Sequence, residues 1–264
     1  MPQSGGFEVR AFGCKIRAAA EGAEAQAILE RYVFPSLPRT ATGADEPDLV
    51  LRVSEAGSQF QLSVGDAVVA SSAAALELVP ELTRVLDEAV IKRLATLRAI
   101  HAGAVLWAGR ALLLPGATHA GKSSMVVELL RRGATYLSDE YALIDPEGRV
   151  HPYPRPLLLR NGRPEQVPAL AGDFSAAVGH ASAPVGWIFA LEYDPAGEWS
   201  VAPVPQSMAL LTLLRNTPHV LADSPEMVGS FQRAVSGAAC FGGRRPEAAD
   251  AAERILRLID DPSY

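Results

Sequence analysis

The spacing of apolar and polar positions divides the chain into two stretches of different character. In the first, "FEVRAFGCKIRA" reads as a strand and "AEAQAILERYVF" as a short helix. "DLVLRV", "QFQLSV" and "DAVVASS" follow with strand-like apolar content, separated by turn signals at Ala56–Gly57 and Gly65–Asp66. That spacing predicts an antiparallel meander. A longer helix is expected over residues 80–98, because Leu82, Val85, Leu86, Ala89, Val90 and Leu94 recur on one face. It is expected to bridge into the next unit. Residues 1–98 therefore predict a small α+β accessory domain.

From His101 the pattern changes. "AGAVLWAG" and "RALLLPG" read as buried strands turning at Ala108–Gly109. A helix starting near Gly121 carries "KSSMVVELLRR" and stops at Gly133. "ATYLSDE" is the next strand, and "YALIDPEGRVHPYP" predicts a hairpin turning at Pro146–Glu147–Gly148. "PLLLR" and "VGWIFALEY" read as further strands. The end is expected to be helical: "SMALLTLLRN", a helix opening at Ser224–Pro225, and "PEAADAAERILRLID". The predicted class is α/β, with residues 99–264 forming a mixed sheet flanked by helices. There is no internal repeat or low-complexity tract.

Composition narrows the function. Of 264 residues, 48% are hydrophobic, enough for a sizeable core and against a disordered chain. A net charge of −6 argues against a nucleic-acid partner, though it leaves room for a local basic pocket around one anion. Cys14 and Cys240 form neither a zinc cluster nor a disulfide framework, which fits a reducing cytoplasm. "MPQSGGFEVR" lacks the apolar stretch of a signal peptide, and no apolar run reaches membrane-span length. The expectation is a soluble cytoplasmic protein without a membrane partner.

One segment carries explicit chemistry. Gly116, Ala117, Thr118, His119, Ala120, Gly121, Lys122 and Ser123 fit G-x-x-x-x-G-K-[ST]. The glycines let consecutive N–H groups turn inward around an anion, and the helix that follows adds its positive end. Lys122 would reach the outer phosphates, and the Ser123 hydroxyl would ligate Mg²⁺. Ser124 reads as a first-turn helix residue at the edge of the loop. His119, at a variable position, offers a donor to a phosphate oxygen. The Asp139–Glu140 pair ends the next strand, where carboxylates suit metal binding and proton acceptance. The plainer reading is a solvated turn or a cap for Ser138. His101, from the residues alone, is an ordinary polar residue at a strand start.

"IHAGAVLWAGRALLLPGATHAGKSSMVVELLRRGATYLSDEYALID" resembles the catalytic domain of the HPr serine kinase/phosphorylase group. It is closer to the HPr-kinase-related proteins, including kinases of lasso and other modified-peptide pathways. The resemblance covers roughly residues 99–260 and rests mainly on 101–140. It implies a P-loop kinase domain of the HPr kinase type that uses ATP and Mg²⁺. It implies that Lys122 and Ser123 hold phosphate and metal, Asp139 is the base for an acceptor hydroxyl, Glu140 is a metal-side carboxylate, and His101 is a phosphate-side partner. Arg160, ending "PLLLR", would contact phosphate or acceptor. The founding family forms assemblies, so a homo-oligomer is one reading, but no interface is readable in the sequence and the oligomeric state stays open. The chain departs from the bifunctional enzymes after the acidic pair. They carry a Gly-rich signature beginning Glu-Ile-Arg-Gly, whereas this chain has "PLLLRNGRPEQ". HPr recognition and phosphorolysis are therefore not carried over, and a serine of another peptide or protein is the expected acceptor. Two further readings stay open: an ATP-binding regulator without transfer activity, and a small-molecule kinase or carboxykinase of the same P-loop class.

Overall fold

A tight hairpin opens the chain where the sequence predicts one strand. The computed structural model describes residues 4–117, 120–160, 162, 164–218 and 225–260. In it, β1 (Ser4–Ala11) and β2 (Cys14–Glu21) pair antiparallel with Ala11 opposite Cys14. The turn between them uses Phe12 at φ 50° and Gly13 at φ 88°. A left-handed Phe is uncommon, so "AFGC" gives only Gly13 as a turn signal.

Helix α1 (Ala23–Tyr32) and the short edge strand β3 (Arg39–Thr40) precede β4 (Leu49–Ala56), which runs parallel to β2. β5 (Gln59–Val64) and β6 (Ala67–Ser72) complete the expected meander, giving the order β3-β1-β2-β4-β5-β6. A 3-10 turn leads into α2 (Val79–Ile91), which ends well before residue 98. The amides of Arg93 and Leu94 close onto the Val90 and Ile91 carbonyls in tight turns, so Leu94 is buried without extending the helix.

The chain divides into two compact units, Met1–Ala95 with Leu158–Ala169, and Thr96–Leu157 with Leu170–Tyr264. The second unit is organised around β7 (Arg98–Trp107). It turns at Ala108 and Gly109, both at positive φ, into β8 (Arg110–Pro115). Helix α3 (Lys122–Arg131) follows, then β9 (Thr135–Ser138), β10 (Tyr141–Ile144) and β11 (Arg149–His151). β12 (Leu157–Leu159) pairs only with β13 (Val167–Ala169). "PLLLR" is thus a strand as expected, but outside the second unit's sheet.

β14 (Ala183–Tyr193), the two-residue β15 (Ala202–Pro203), α4 (Gln206–Arg215), α5 (Pro225–Ser236), β16 (Ala239–Arg245) and α6 (Ala248–Asp260) complete the chain. Ser224, the expected cap of α5, lies outside the described residues. β16 was not expected. Its "ACFGGRR" has two glycines and two arginines, poor strand formers that mask a central parallel strand.

The large sheet has the order β11-β10-β7-β8-β14-β16-β15, with β9 also on β7. β8, β14 and β16 run parallel, so their carboxyl ends share one sheet edge. β11 also pairs with the start of β14, which closes β11, β10, β7, β8 and β14 into a ring. Buried Ile100, Ala104, Leu113, Leu137, Ile188 and Phe231 belong to the core cluster around it. The architecture is mixed α/β.

α3 approaches β7 closely because position 103 is glycine. A Cβ there would lie 2.7 Å from Val126 Cγ2, on the buried face of α3. Gly103→Ala should therefore cost about 1–3 kcal/mol through overpacking. Urea unfolding measures it, and Val126→Ala in the same chain should recover part of the loss. An undiminished midpoint for Gly103→Ala would show that the helix has slack to move.

Candidate functional site

β7 brings the predicted site residues of the second unit together. Ser138 pairs with Ala104 and Tyr141 with His101, which leaves Asp139 and Glu140 opposite Gly103 and Ala102. The Ser138 hydroxyl donates to the Tyr141 carbonyl at 2.6 Å, holding the turn in between. A strand rather than a helix follows, so Ser138 caps no helix, and the turn is not solvated at Asp139, which is buried at 3% exposure. The Ala102 amide donates to the Glu140 carbonyl, and the Gly116 amide to the His101 carbonyl, each at 3.1 Å. One short length of strand thus fixes both the start of the glycine-rich loop and the acidic turn.

The loop leaves β8 at Pro115 and enters α3 through Gly121, whose φ of 76° lies in the left-handed region. Thr118 and His119 lie outside the described residues. Lys122 is buried, and its Nζ donates to the Ala117 carbonyl at 3.0 Å. Ser123 and Ser124 occupy the first turn of α3.

The two carboxylates are treated differently by their surroundings. Burial raises the Asp139 pKa from 3.8 to about 6, against the opposing effects of Arg155, the Ser123 hydroxyl and Lys122; Glu140 adds to the rise. Its Oδ1 is buried with no hydrogen-bond partner among the described residues. Glu140 is also partly desolvated, but the hydrogen bond from His101 and the charges of Lys122 and Arg155 outweigh this and hold its pKa below the ordinary value. His101 Nδ1 lies 3.1 Å from Glu140 Oε1, and its ring packs on Tyr141 with centroids 4.5 Å apart. The site therefore offers one carboxylate near its titration midpoint and one held ionised.

The unpartnered Asp139 oxygen and the adjacent Ser123 hydroxyl suit a small hard cation that also takes phosphate oxygens. Among the described residues, no group of three or more His, Cys, Asp and Glu side chains forms an all-protein metal cage. A shared site of this kind does not need one.

Two arginines escaped the sequence reading. Arg155 is buried, and its charge acts on both Asp139 and Glu140. Tyr136 Oη, from β9, donates to the Arg155 carbonyl at 2.9 Å and anchors that segment beside the acidic turn. Its sequence signal was its place between Pro154 and Pro156, which restrict the backbone on both sides. Arg160 instead falls in the first unit, where it donates to the Pro164 carbonyl. The second missed residue, Arg245, ends β16 and donates to the carbonyls of Ala120 and Gly121, each at 3.2 Å. A Cβ at position 121 would lie 2.2 Å from its Nη2, so any other residue there would displace the guanidinium, while the positive φ itself favours glycine. No local motif marks Arg245, because it reaches the loop across the sheet.

No protein-family model matches the chain, and no curated protein does.

The raised Asp139 pKa has a stability consequence of definite sign. The native state holds this proton more tightly than the unfolded chain, so stability falls as pH rises from about 4 to above 6. The ionised, buried form costs on the order of 3 kcal/mol at neutral pH. Asp139→Asn should be more stable than the parent at pH 8, with the advantage shrinking toward pH 4. Urea unfolding of both proteins across that range checks it, and a pH-independent difference would contradict the raised pKa.

Proposed function

We propose that the protein is an ATP- and Mg²⁺-dependent phosphotransferase of the HPr-kinase-related type, acting on a hydroxyl, taken to be a serine of a peptide or protein. The observation that carries this is Asp139: a buried carboxylate with a pKa of about 6 and an unpartnered oxygen, next to the helix that opens with Lys122 and Ser123. A carboxylate with a raised pKa suits proton acceptance as well as cation binding, and the first of these favours transfer over the non-catalytic regulator. The class assignment itself rests on the resemblance over residues 101–140.

In this reading, the inward amides of the loop and the positive end of α3 hold the phosphates. Lys122 leaves the Ala117 carbonyl for an outer phosphate oxygen, exchanging a neutral acceptor for a charged one. The acceptor oxygen forms a bond to the γ-phosphorus as the bond to the β–γ bridging oxygen breaks, with that electron pair leaving on ADP. Asp139 takes the hydroxyl proton late in the transfer. Arg155 offsets the charge of the two carboxylates, and His101 keeps Glu140 ionised and oriented. Mg²⁺, held by Ser123 with Asp139 or Glu140, would neutralise charge on the outer phosphates.

Lys122→Ala should weaken ATP binding by about 1.5–3 kcal/mol, measured by calorimetry. Equal affinity in variant and parent would remove the loop from the nucleotide site. Asp139→Asn should leave ATP affinity within a few-fold while transfer falls by at least about 10²-fold. The assay is γ-labelled ATP with an array of serine-containing peptides, read with and without Mg²⁺. If Asp139 acts chiefly as a metal ligand, affinity falls with rate and loses its Mg²⁺ dependence. Normal ATP binding with no transfer to peptides or to small hydroxyl compounds would favour the regulator.

A further inference from the structure

Where the segments after β14 and β16 meet α6, the second unit has a groove that the transfer chemistry does not use. It has a volume of about 380 Å³ and is lined by Gly197, Glu198, Trp199, Pro246, Asp250 and Arg254. That size is within the range of small-molecule sites. We propose that it receives the base of the nucleotide, a purine stacked on Trp199. This inference rests on the nucleotide-site reading above and extends it to the nucleoside end.

Topology places the groove on the correct side of the sheet. β8, β14 and β16 are parallel, and three loops leave their carboxyl ends. The glycine-rich loop follows β8, the segment with Gly197–Trp199 follows β14, and Pro246 follows β16. Ligands of parallel α/β sheets bind along this edge. Arg245 joins the two regions: its guanidinium holds the Ala120 and Gly121 carbonyls, while Pro246, the next residue, lines the groove. Arg245 thus touches the loop through its side chain and adjoins the groove through its neighbour in sequence.

The β14 segment is locked in place. The Ser200 amide donates to the Arg244 carbonyl and the Asp194 amide to the Arg245 carbonyl, at 3.1 and 3.0 Å. Gly243, at φ 147°, permits this approach, since a Cβ there would lie 2.2 Å from the Ser200 carbonyl oxygen. Trp199 is consequently presented against Pro246 by a fixed backbone.

The lining chemistry fits a purine with exocyclic amino groups. The Trp199 ring offers a stacking face, and the Arg254 guanidinium carbon sits 6.0 Å from its centroid. Sandwiching a base between them needs about 7–8 Å, twice an ordinary contact distance. Arg254 can yield this, because its side chain is 48% exposed and, among the described residues, its ion pair is with Asp250 on the same helix, at 2.8 Å. Glu198 and Asp250 present acceptors to base N–H or ribose hydroxyl donors.

The test compares ATP with inorganic tripolyphosphate, which can fill the loop but not the groove. The parent should bind ATP about tenfold or more tighter than tripolyphosphate, as expected from stacking. Trp199→Ala should abolish that advantage and leave tripolyphosphate affinity unchanged, while Trp199→Phe should keep most of it. Unchanged tripolyphosphate binding also reports that the variant is folded. If Trp199→Ala binds ATP as the parent does, while Lys122→Ala loses both ligands, the groove is overturned and the loop reading stands. If Trp199→Ala loses tripolyphosphate equally, Trp199 supports the loop rather than a base, and the proposal fails. If the parent binds neither ligand, the nucleotide-site reading fails with it.

Discussion

The second unit depends on the hydrogen bonds of two adjacent residues in β7. The His101 amide donates to Asn216 at the end of α4, its carbonyl accepts from Gly116, and its ring holds Glu140, while the Ala102 amide binds the Glu140 carbonyl. The loop after β8, the acidic turn and the C-terminal end of α4 thus share one reference point. A displacement of β7 would move all three together, so their mutual spacing is kept even if the strand shifts. Gly103, one residue further, sets how closely α3 lies on that strand.

This arrangement also explains why two neighbouring carboxylates behave differently. Asp139 and Glu140 form the turn between β9 and β10, and the turn buries one side chain more than the other. Asp139 is sealed at 3% exposure, whereas the Glu140 side chain stays 26% exposed and gains a histidine partner. Burial on one side, and a histidine with two nearby cations on the other, separate their proton affinities.

Much of this was legible in the sequence where a feature is local. The glycine-rich loop, the following helix, the Ala108–Gly109 turn and the hairpin at Pro146–Gly148 each depend on nearby residues with strong conformational preferences. The Phe12–Gly13 turn and the short α2 were misread because backbone hydrogen bonds overrode apolar patterning. Arg245 and β16 were invisible for another reason. A strand rich in Gly and Arg is stabilised by its neighbours β14 and β15, and an arginine that crosses to another loop leaves no local spacing to recognise. The family resemblance pointed to Arg160, which lies in the first unit, while Arg155, whose carbonyl the Tyr136 phenol holds, carries a charge that acts on the acidic pair and had no motif to mark it.

The closed ring of strands has a consequence for how the chain acquires its shape. β8 obtains β7 at once through a two-residue turn, but its other edge waits for β14, about 70 residues later in the chain. β11 must likewise await the start of β14 before the ring shuts. During synthesis, the strand that leads into the glycine-rich loop therefore stays open on one side until most of the protein has emerged. Contacts of such long sequence separation slow folding and leave an apolar edge, "ALLL", exposed to other chains. Arrival of β14 removes that edge and completes the ring in a single event, so the final closure is expected to be cooperative.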